Sequence, residues 1–345
     1  MSARRQRQMC IRDRFFIFIG SIGFDLLIGD PKFIIHPVQI IGLYIKKVTN
    51  FFINNFNKKK SILFWGGLFI ALSTIGISFV IGKVIELIFL QSKSNFIFGI
   101  IFLLGLSSCL ASKSLTTSVK EISSLINSKI IDQKIENIVR EKVQRIVSRD
   151  VSSSSLEHLL RSSSESLAEN SVDGIFGPLF WIFIGIVFIK FSIFLPGPLS
   201  LGFSYKAIST LDSMIGYKYG HYKYLGFFSA KIEDYATFLP SRFVLITLPL
   251  VSSKIKKYIS IIKESYSDGI KYDSPNSGIS EAIFAYISNI KLGGENKYND
   301  VIIEKPIINP NGKKCTKEKI NLICQLILRL QILWIIIFTI IFFNI

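Results

Sequence analysis

Long apolar runs separated by lysine-rich connectors set the pattern of this chain. Residues 61–82, 96–112 and 322–345 each come close to the roughly 20 apolar residues that a helix needs to cross a hydrocarbon core, so they predict membrane-spanning helices. Runs 15–29, 174–203 and 238–253 are less regular. The middle one contains Lys190 and the break Pro196-Gly197-Pro198. It is short for two crossings and long for one, which fits a re-entrant or protein-buried hairpin. Between 113 and 147 polarity rises while Val119, Ile122, Leu125 and Ile126 return at helical intervals, predicting one or two amphipathic scaffold helices outside the bilayer. The expected fold is all-α: a polytopic membrane helical bundle with cytosolic amphipathic helices and re-entrant segments.

Composition sharpens this picture. Hydrophobic residues make up 49% of the chain, with 30 Phe, and mean hydropathy is +0.44; an ordinary soluble domain is excluded. The net charge of +17 is spread through the connectors rather than gathered in one tract, as expected for loops held at the cytoplasmic face of a cell membrane. Membrane lipid is therefore the expected surroundings, and nucleic acid is not an expected partner. On the same rule Lys32, Lys46, Lys47, residues 58–60 and segment 113–173 face the cytosol, 91–95 is exposed outside, and Ile345 ends on the far side. The first fourteen residues carry five of the eleven Arg, while 15–139 has none. They read as a non-native basic extension, leaving 15–345 as a single membrane-integral domain. Four Cys and three His show no paired spacing, so any metal would be hard and oxygen-bound.

The chemistry concentrates beside an apolar run. Residues 165–174 read ESLAENSVDG, and on a helix Glu165, Glu169 and Asp173 fall every four residues along one drifting stripe, with Asn170 beside it. No Lys or Arg is interspersed, and stacked like charges repel unless a cation or a cationic substrate sits between them. Asp25 lies inside an apolar run, where a carboxylate usually faces the protein interior. Asp30 and His36 flank a Gly and Pro turn, and helix capping and an interfacial side chain explain them as well as binding does. Arg149 either binds a phosphate or pairs with Asp150. On a helix Lys206, Thr210 and Ser213 share a face, with Asp212 about a third of a turn away. A lysine leading hydroxyls suits phosphate, and the acid suits Mg²⁺ or an amine. Arg242, after the acids Glu233 and Asp234, either snorkels to headgroups or binds phosphate. Asn276 and Ser277 open a helix at SPNSG, where capping explains them equally well.

Taken in order, DLLIGDP with HPV, Arg149-Asp150, ESLAENSVDG with PLFW, YKAISTLDSMIGY, Glu233-Asp234 with LPSR, and SPNSG with LGG resemble the CobD/CbiB family, the membrane adenosylcobinamide-phosphate synthases of cobalamin biosynthesis. The likeness covers about residues 20–295. Ser148, Glu233 and Ile279-Ser280 depart from the usual Gly, Asp and Trp-Pro, which touches substrate geometry rather than the resemblance. The resemblance implies an ATP-dependent ligase forming an amide between a propionate of adenosylcobyric acid and (R)-1-amino-2-propanol or its O-phosphate, with Mg²⁺. The corrinoid is a substrate rather than a bound cofactor, and other corrin-pathway enzymes are conceivable partners.

It also implies roles. Glu165, Glu169, Asp173 and Asp212 form the catalytic set; Glu169, Asp173, Asp212 and Asp234 hold the metal. Lys206, Arg242 and Arg149 contact phosphate groups, while Asn170, Asn276, Ser277 and His36 contact substrate. Two rival classes remain. A transporter would use Asp25 and Lys190 along an ion path, but it predicts inverted halves that the sequence does not display. A membrane alcohol phosphotransferase would begin with a pair such as Asp173-Gly174, and nothing continues that pattern.

Overall fold

A computed structural model describes residues 3–29, 36–56, 58–91, 96–126, 133–298 and 301–345. The turn at Asp30 and Lys32 and the outer connector at 92–95 lie outside the described residues. In chain order the helices are α1 (Ala3–Leu27), α2 (Pro37–Phe56), α3 (Lys60–Gln91), α4 (Phe96–Ser107), α5 (Ser112–Leu125), α6 (Gln133–Gln144) and α7 (Leu156–Ser171). A single π turn, Val172–Phe176, leads into α8 (Gly177–Phe191), followed by α9 (Pro198–Ile215), α10 (Tyr222–Leu225), α11 (Phe227–Thr247), α12 (Tyr258–Gly269) and α13 (Pro275–Ser288). A hairpin of β1 (Leu292–Tyr298) and β2 (Val301–Ile308) precedes the last helix, α14 (Lys317–Asn344). The helical bundle is as expected, and the hairpin is the addition.

Among the described residues three helical stretches are long and apolar enough to cross a membrane: Lys60–Phe89, Leu156–Phe191 and Lys317–Asn344. A fourth crossing arises if α4 and α5, bent by 44° at their junction, act as one broken span. Runs 15–29 and 238–253 are not among them; α11 carries Pro240 inside it and gives way to a 3₁₀ turn at Leu248–Val251. The 36-residue stretch from Leu156 is about 54 Å long at 1.5 Å per residue, whereas a bilayer core is about 30 Å.

The chain forms two compact units. The first comprises 1–113 and 173–237. Its core gathers Ile45 of α2, Leu63, Ile70 and Ala71 of α3, Leu211 and Ile215 of α9 and Leu225 of α10. The residues set apart at the start of the sequence continue without a break into α1, where buried Arg14 donates to the carbonyl of Glu86. Helices α8 and α9 pack as the hairpin read from the Pro-Gly-Pro break.

That hairpin is held by a residue the sequence reading passed over. Glu86, buried in the α3 span, accepts hydrogen bonds from the amides of Leu199 (2.7 Å) and Ser200 (2.9 Å) at the start of α9. Those amides have no partner within their own helix, and the carboxylate also favours the positive end of the α9 dipole. Lys83, one turn earlier, donates to the carbonyls of Ile193 and Leu195 in the connector. Replacing Glu86 by Ala is expected to cost about 2 kcal/mol, the upper range for a lost N-terminal cap. The thermal unfolding midpoint of the detergent-solubilised protein checks this, and an unchanged midpoint would remove the cap from the account.

The second unit comprises 114–172 and 238–345. Ile122 of α5, Val139 and Val143 of α6, and Leu159 of α7 close one core with Val151. At the other, Trp334 of α14 donates to Thr247 Oγ1 (2.9 Å) and packs on Phe243 and Phe338. Helices α12 and α13 approach closely at Gly278, where a Cβ would stand 2.2 Å from the carbonyl oxygen of Gly269. This accounts for the glycine of SPNSG.

Candidate active site

The best-defined polar constellation lies in the second unit and is built around Glu165. This fully buried side chain of α7 receives Arg149 Nη1 on Oε2 at 2.5 Å and the Gly293 amide on Oε1 at 2.9 Å. The same Nη1 donates to Asn296 Oδ1 at 2.6 Å, and Arg161 stands 3.8 Å from Glu165 one turn earlier on α7. A buried carboxylate is tolerated only when paired and hydrogen-bonded, and here both oxygens are engaged. The stacked acids called for a cation, and protein side chains supply one. Arg149 thus has Glu165 as its buried partner, while Asp150 accepts the amide of Ser152 in a local turn.

A second charged pair adjoins the first. Lys305 of β2 reaches Glu281 of α13 at 3.4 Å, with its ammonium 5.1 Å from the centre of the Tyr272 ring. Burial pushes the Glu281 carboxyl up to about 8, and the negative charges of Glu165 and Glu169 outside the pair add to this. Burial pulls Lys305 down, but Glu281, Glu169 and Glu165 together carry it above the ordinary lysine value. At neutral pH the pair is therefore a cation beside a carboxyl that exchanges its proton near neutrality, a state suited to proton transfer. Glu169, one turn beyond Glu165, is half-buried, and among the described residues its carboxylate makes no hydrogen bond or ion pair. It is the open carboxylate of the group.

The hairpin makes this arrangement possible. The register shifts between Leu292 and Gly294, and Gly294 faces Lys305. Gly293, in the shifted stretch, has φ +81°, and a Cβ there would stand 2.0 Å from the Pro306 carbonyl oxygen. Only glycine fits both demands, and the resulting turn aims its amide at Glu165. Sequence reasoning singled out LGG but missed Asn296 and Lys305. The β-branched run VIIEKPII after a Gly-Gly pair was the available signal.

Other predicted positions fall elsewhere. In the second unit Asn170 donates to Ser166 Oγ (2.8 Å), and Ser277 Oγ to the carbonyl of Ser274. LPSR and SPNSG come together there, since Arg242 donates to Asn276 Oδ1 and lies 4.0 Å over the Phe238 ring. Asp173, Lys206, Asp212 and Asp234 belong to the first unit. Asp173 sits in the π turn and within electrostatic reach of Tyr205, whose hydroxyl meets Thr237, itself bonded to Glu233. Half-buried Asp234 pairs with exposed Lys231 at 3.8 Å. The hydroxyls of Thr210 and Ser213 donate to carbonyls four residues back on α9. His36 Nδ1 accepts the Val38 amide. Asp25, proposed for an ion path, accepts the Ser112 amide at 2.9 Å. Among the described residues no group of three or more His, Cys, Asp or Glu side chains is placed to hold a metal ion.

Comparison with known proteins agrees with the motif order. A family model described as CobD/Cbib protein matches residues 18–327. A protein of Synechocystis sp. named Cobalamin biosynthesis protein CobD is 38% identical over 302 residues, covering 87% of this chain and 84% of the relative. Proteins of the same name from Clostridium acetobutylicum and Streptococcus sanguinis are 36% and 30% identical and cover 94% of this chain, and 96% and 95% of their own lengths. No solved structure matches. On the extent of these matches, the chain belongs to the CobD/CbiB family.

Proposed function

We propose that this protein acts in cobalamin biosynthesis as an ATP-dependent ligase, joining a propionate carboxylate of adenosylcobyric acid to the amine of (R)-1-amino-2-propanol or its O-phosphate. The observation that carries this reading is the half-buried Glu169, unpaired among the described residues, beside the Glu281–Lys305 pair, on the helix whose Glu165 is locked by Arg149. A carboxylate and an amine do not condense readily in water. Transfer of the ATP γ-phosphoryl group to the substrate carboxylate releases ADP and leaves an acyl phosphate. Attack by the amine then expels phosphate, and the amine loses one proton.

Glu169 orients that amine and takes its proton. The carboxyl of Glu281, held near pH 8, is the neighbouring group that can relay it. Glu165 is a positioning residue, since both its oxygens are already occupied. Among the described residues no three acids come together to hold a metal ion, so Mg²⁺ would enter with the substrate phosphates and would offset charge during phosphoryl transfer. The lysine-rich connectors support a reaction face on the cytoplasmic side of the cell membrane.

Membranes containing the protein, supplied with ATP, adenosylcobyric acid and either form of the amine, are expected to yield the amide. Glu169→Gln is expected to lower that rate about a hundredfold at unchanged protein level, as for loss of one general base. Wild-type membranes that form no amide with either amine would overturn the reading, and a fully active Glu169→Gln protein would remove Glu169 from it.

A further inference from the structure

A cleft of about 390 Å³ opens in the second unit beside the N-terminal end of α7, lined among others by His158, Arg161, Lys291, Gly293, Lys314 and Cys315. We propose that it binds a phosphoryl group of a substrate of the ligase reaction. The inference rests on that reaction for the identity of its ligand, but its location is set by the charges that line it. Three cations converge there, against one lining carboxylate, Glu157, which is paired with Lys314 at 2.7 Å. Arg161 is held in place by the Glu295 carbonyl at 2.6 Å and by Asn296 Oδ1 at 3.4 Å. Its guanidinium is thus oriented before any ligand arrives, which lowers the ordering cost of binding. The Lys291 ammonium makes no hydrogen bond or ion pair among the described residues. The start of a sixteen-residue helix, α7, adds the partial positive charge of its unsatisfied amides.

The cleft also shares a wall with the reactive group. Gly293 lines it, and the Gly293 amide is the one that holds Glu165. A phosphate here would meet Arg161, which also stands 3.8 Å from Glu165, and so would bind at the edge of the charged network. Burial pushes the Cys315 thiol up to about 11, so it lines the cleft as a neutral group and does not repel an anion. This places phosphate recognition on Arg161, Lys291 and Lys314 rather than on Lys206, Arg242 and Arg149, the cations to which the resemblance pointed.

Nucleotide and phosphorylated amine share this chemistry, and binding assays separate them. The full-length protein in detergent is titrated calorimetrically with a non-hydrolysable ATP analogue and, separately, with aminopropanol O-phosphate. The Lys291→Ala/Lys314→Ala variant, altered at exposed side chains, is expected to bind one of these at least tenfold more weakly, with an unchanged unfolding midpoint. The probe that weakens identifies the source, and a Lys46→Ala/Lys47→Ala control should bind both as wild type does. Wild-type affinity of the cleft variant for both probes, or binding of neither probe by the wild type, overturns the proposal. If the wild type forms amide while the cleft variant keeps both KM values, the cleft assignment fails and the ligase reading stands. If lysine-dependent binding is seen but no amide ever forms, the cleft stands and the ligase reading fails.

Discussion

Arg149→Met is expected to destabilise the second unit by about 3–5 kcal/mol, the range for breaking a buried ion pair by removing one partner. The size follows from what is left behind: Glu165, fully buried, would keep the Gly293 amide and Arg161 at 3.8 Å but lose its closest cation, and Asn296 Oδ1 would lose its 2.6 Å donor. The effect is therefore mostly the burial of a charge stripped of its closest partner rather than the strength of the pair itself. The double variant Arg149→Met/Glu165→Leu tests this distinction, because removing both charges restores an apolar interior and should recover much of the loss. Arg149→Lys should not restore wild-type behaviour, since an ammonium must satisfy Glu165 and Asn296 from a different geometry. Unfolding midpoints and protease resistance of 238–345 provide the readout. If the double variant is as unstable as Arg149→Met, the loss is one of packing and the electrostatic account is wrong.

Between about pH 5 and 8 the wild type is expected to lose stability as pH rises, and Glu281→Gln is expected to flatten that slope. The folded value of Glu281, about 8, lies above its ordinary 4.5, so between those values the native state holds a proton that the unfolded chain has released. The resulting stabilisation is complete below about 4.5 and is lost as pH rises through 8. Lys305 is also raised, from 10.5, so it stays protonated in both states across this window and adds no slope. Each proton of difference changes stability by about 1.4 kcal/mol per pH unit, enough to resolve in a series of thermal melts. Parallel pH curves for wild type and Glu281→Gln would mean that Glu281 carries no such proton. The same titration should appear in the rate of amide formation as a limb near pH 8 that Glu281→Gln abolishes.

Periodicity and motif order made much of this legible in advance. Apolar runs gave α3 and α14 directly, the Pro-Gly-Pro break gave the α8–α9 hairpin, and the buried face of Val119 and Ile122 followed from helical spacing. The joining of LPSR to SPNSG through Arg242 and Asn276 was not predicted, although both motifs were marked as chemical. Failures share one physical origin. Spacing along a helix shows which acids stack, but not which distant cation answers them, so Glu165 read as one of a stack awaiting a cation or a cationic substrate, and its carboxylate meets Arg149. Glu86 was hidden because a single acid at the end of a spanning run looks like the run's boundary, whereas its function as a cap depends on α9, over a hundred residues away. Lys305 and Asn296 were missed because a short two-stranded hairpin carries little periodic signal inside a helical chain.

The Glu165 network also has a schedule. Gly293 lies 128 residues beyond Glu165, and Asn296 lies 147 beyond Arg149. At 5–20 residues per second, ribosomes would need roughly 6–25 s to produce the first of these after its acid has emerged. During that interval the carboxylate has only Arg149, Arg161 and water, so the network closes after every helix except α14 has been made. Truncation before the hairpin would thus release a chain without α14 and with the Gly293 amide and Asn296 missing from around its central acid.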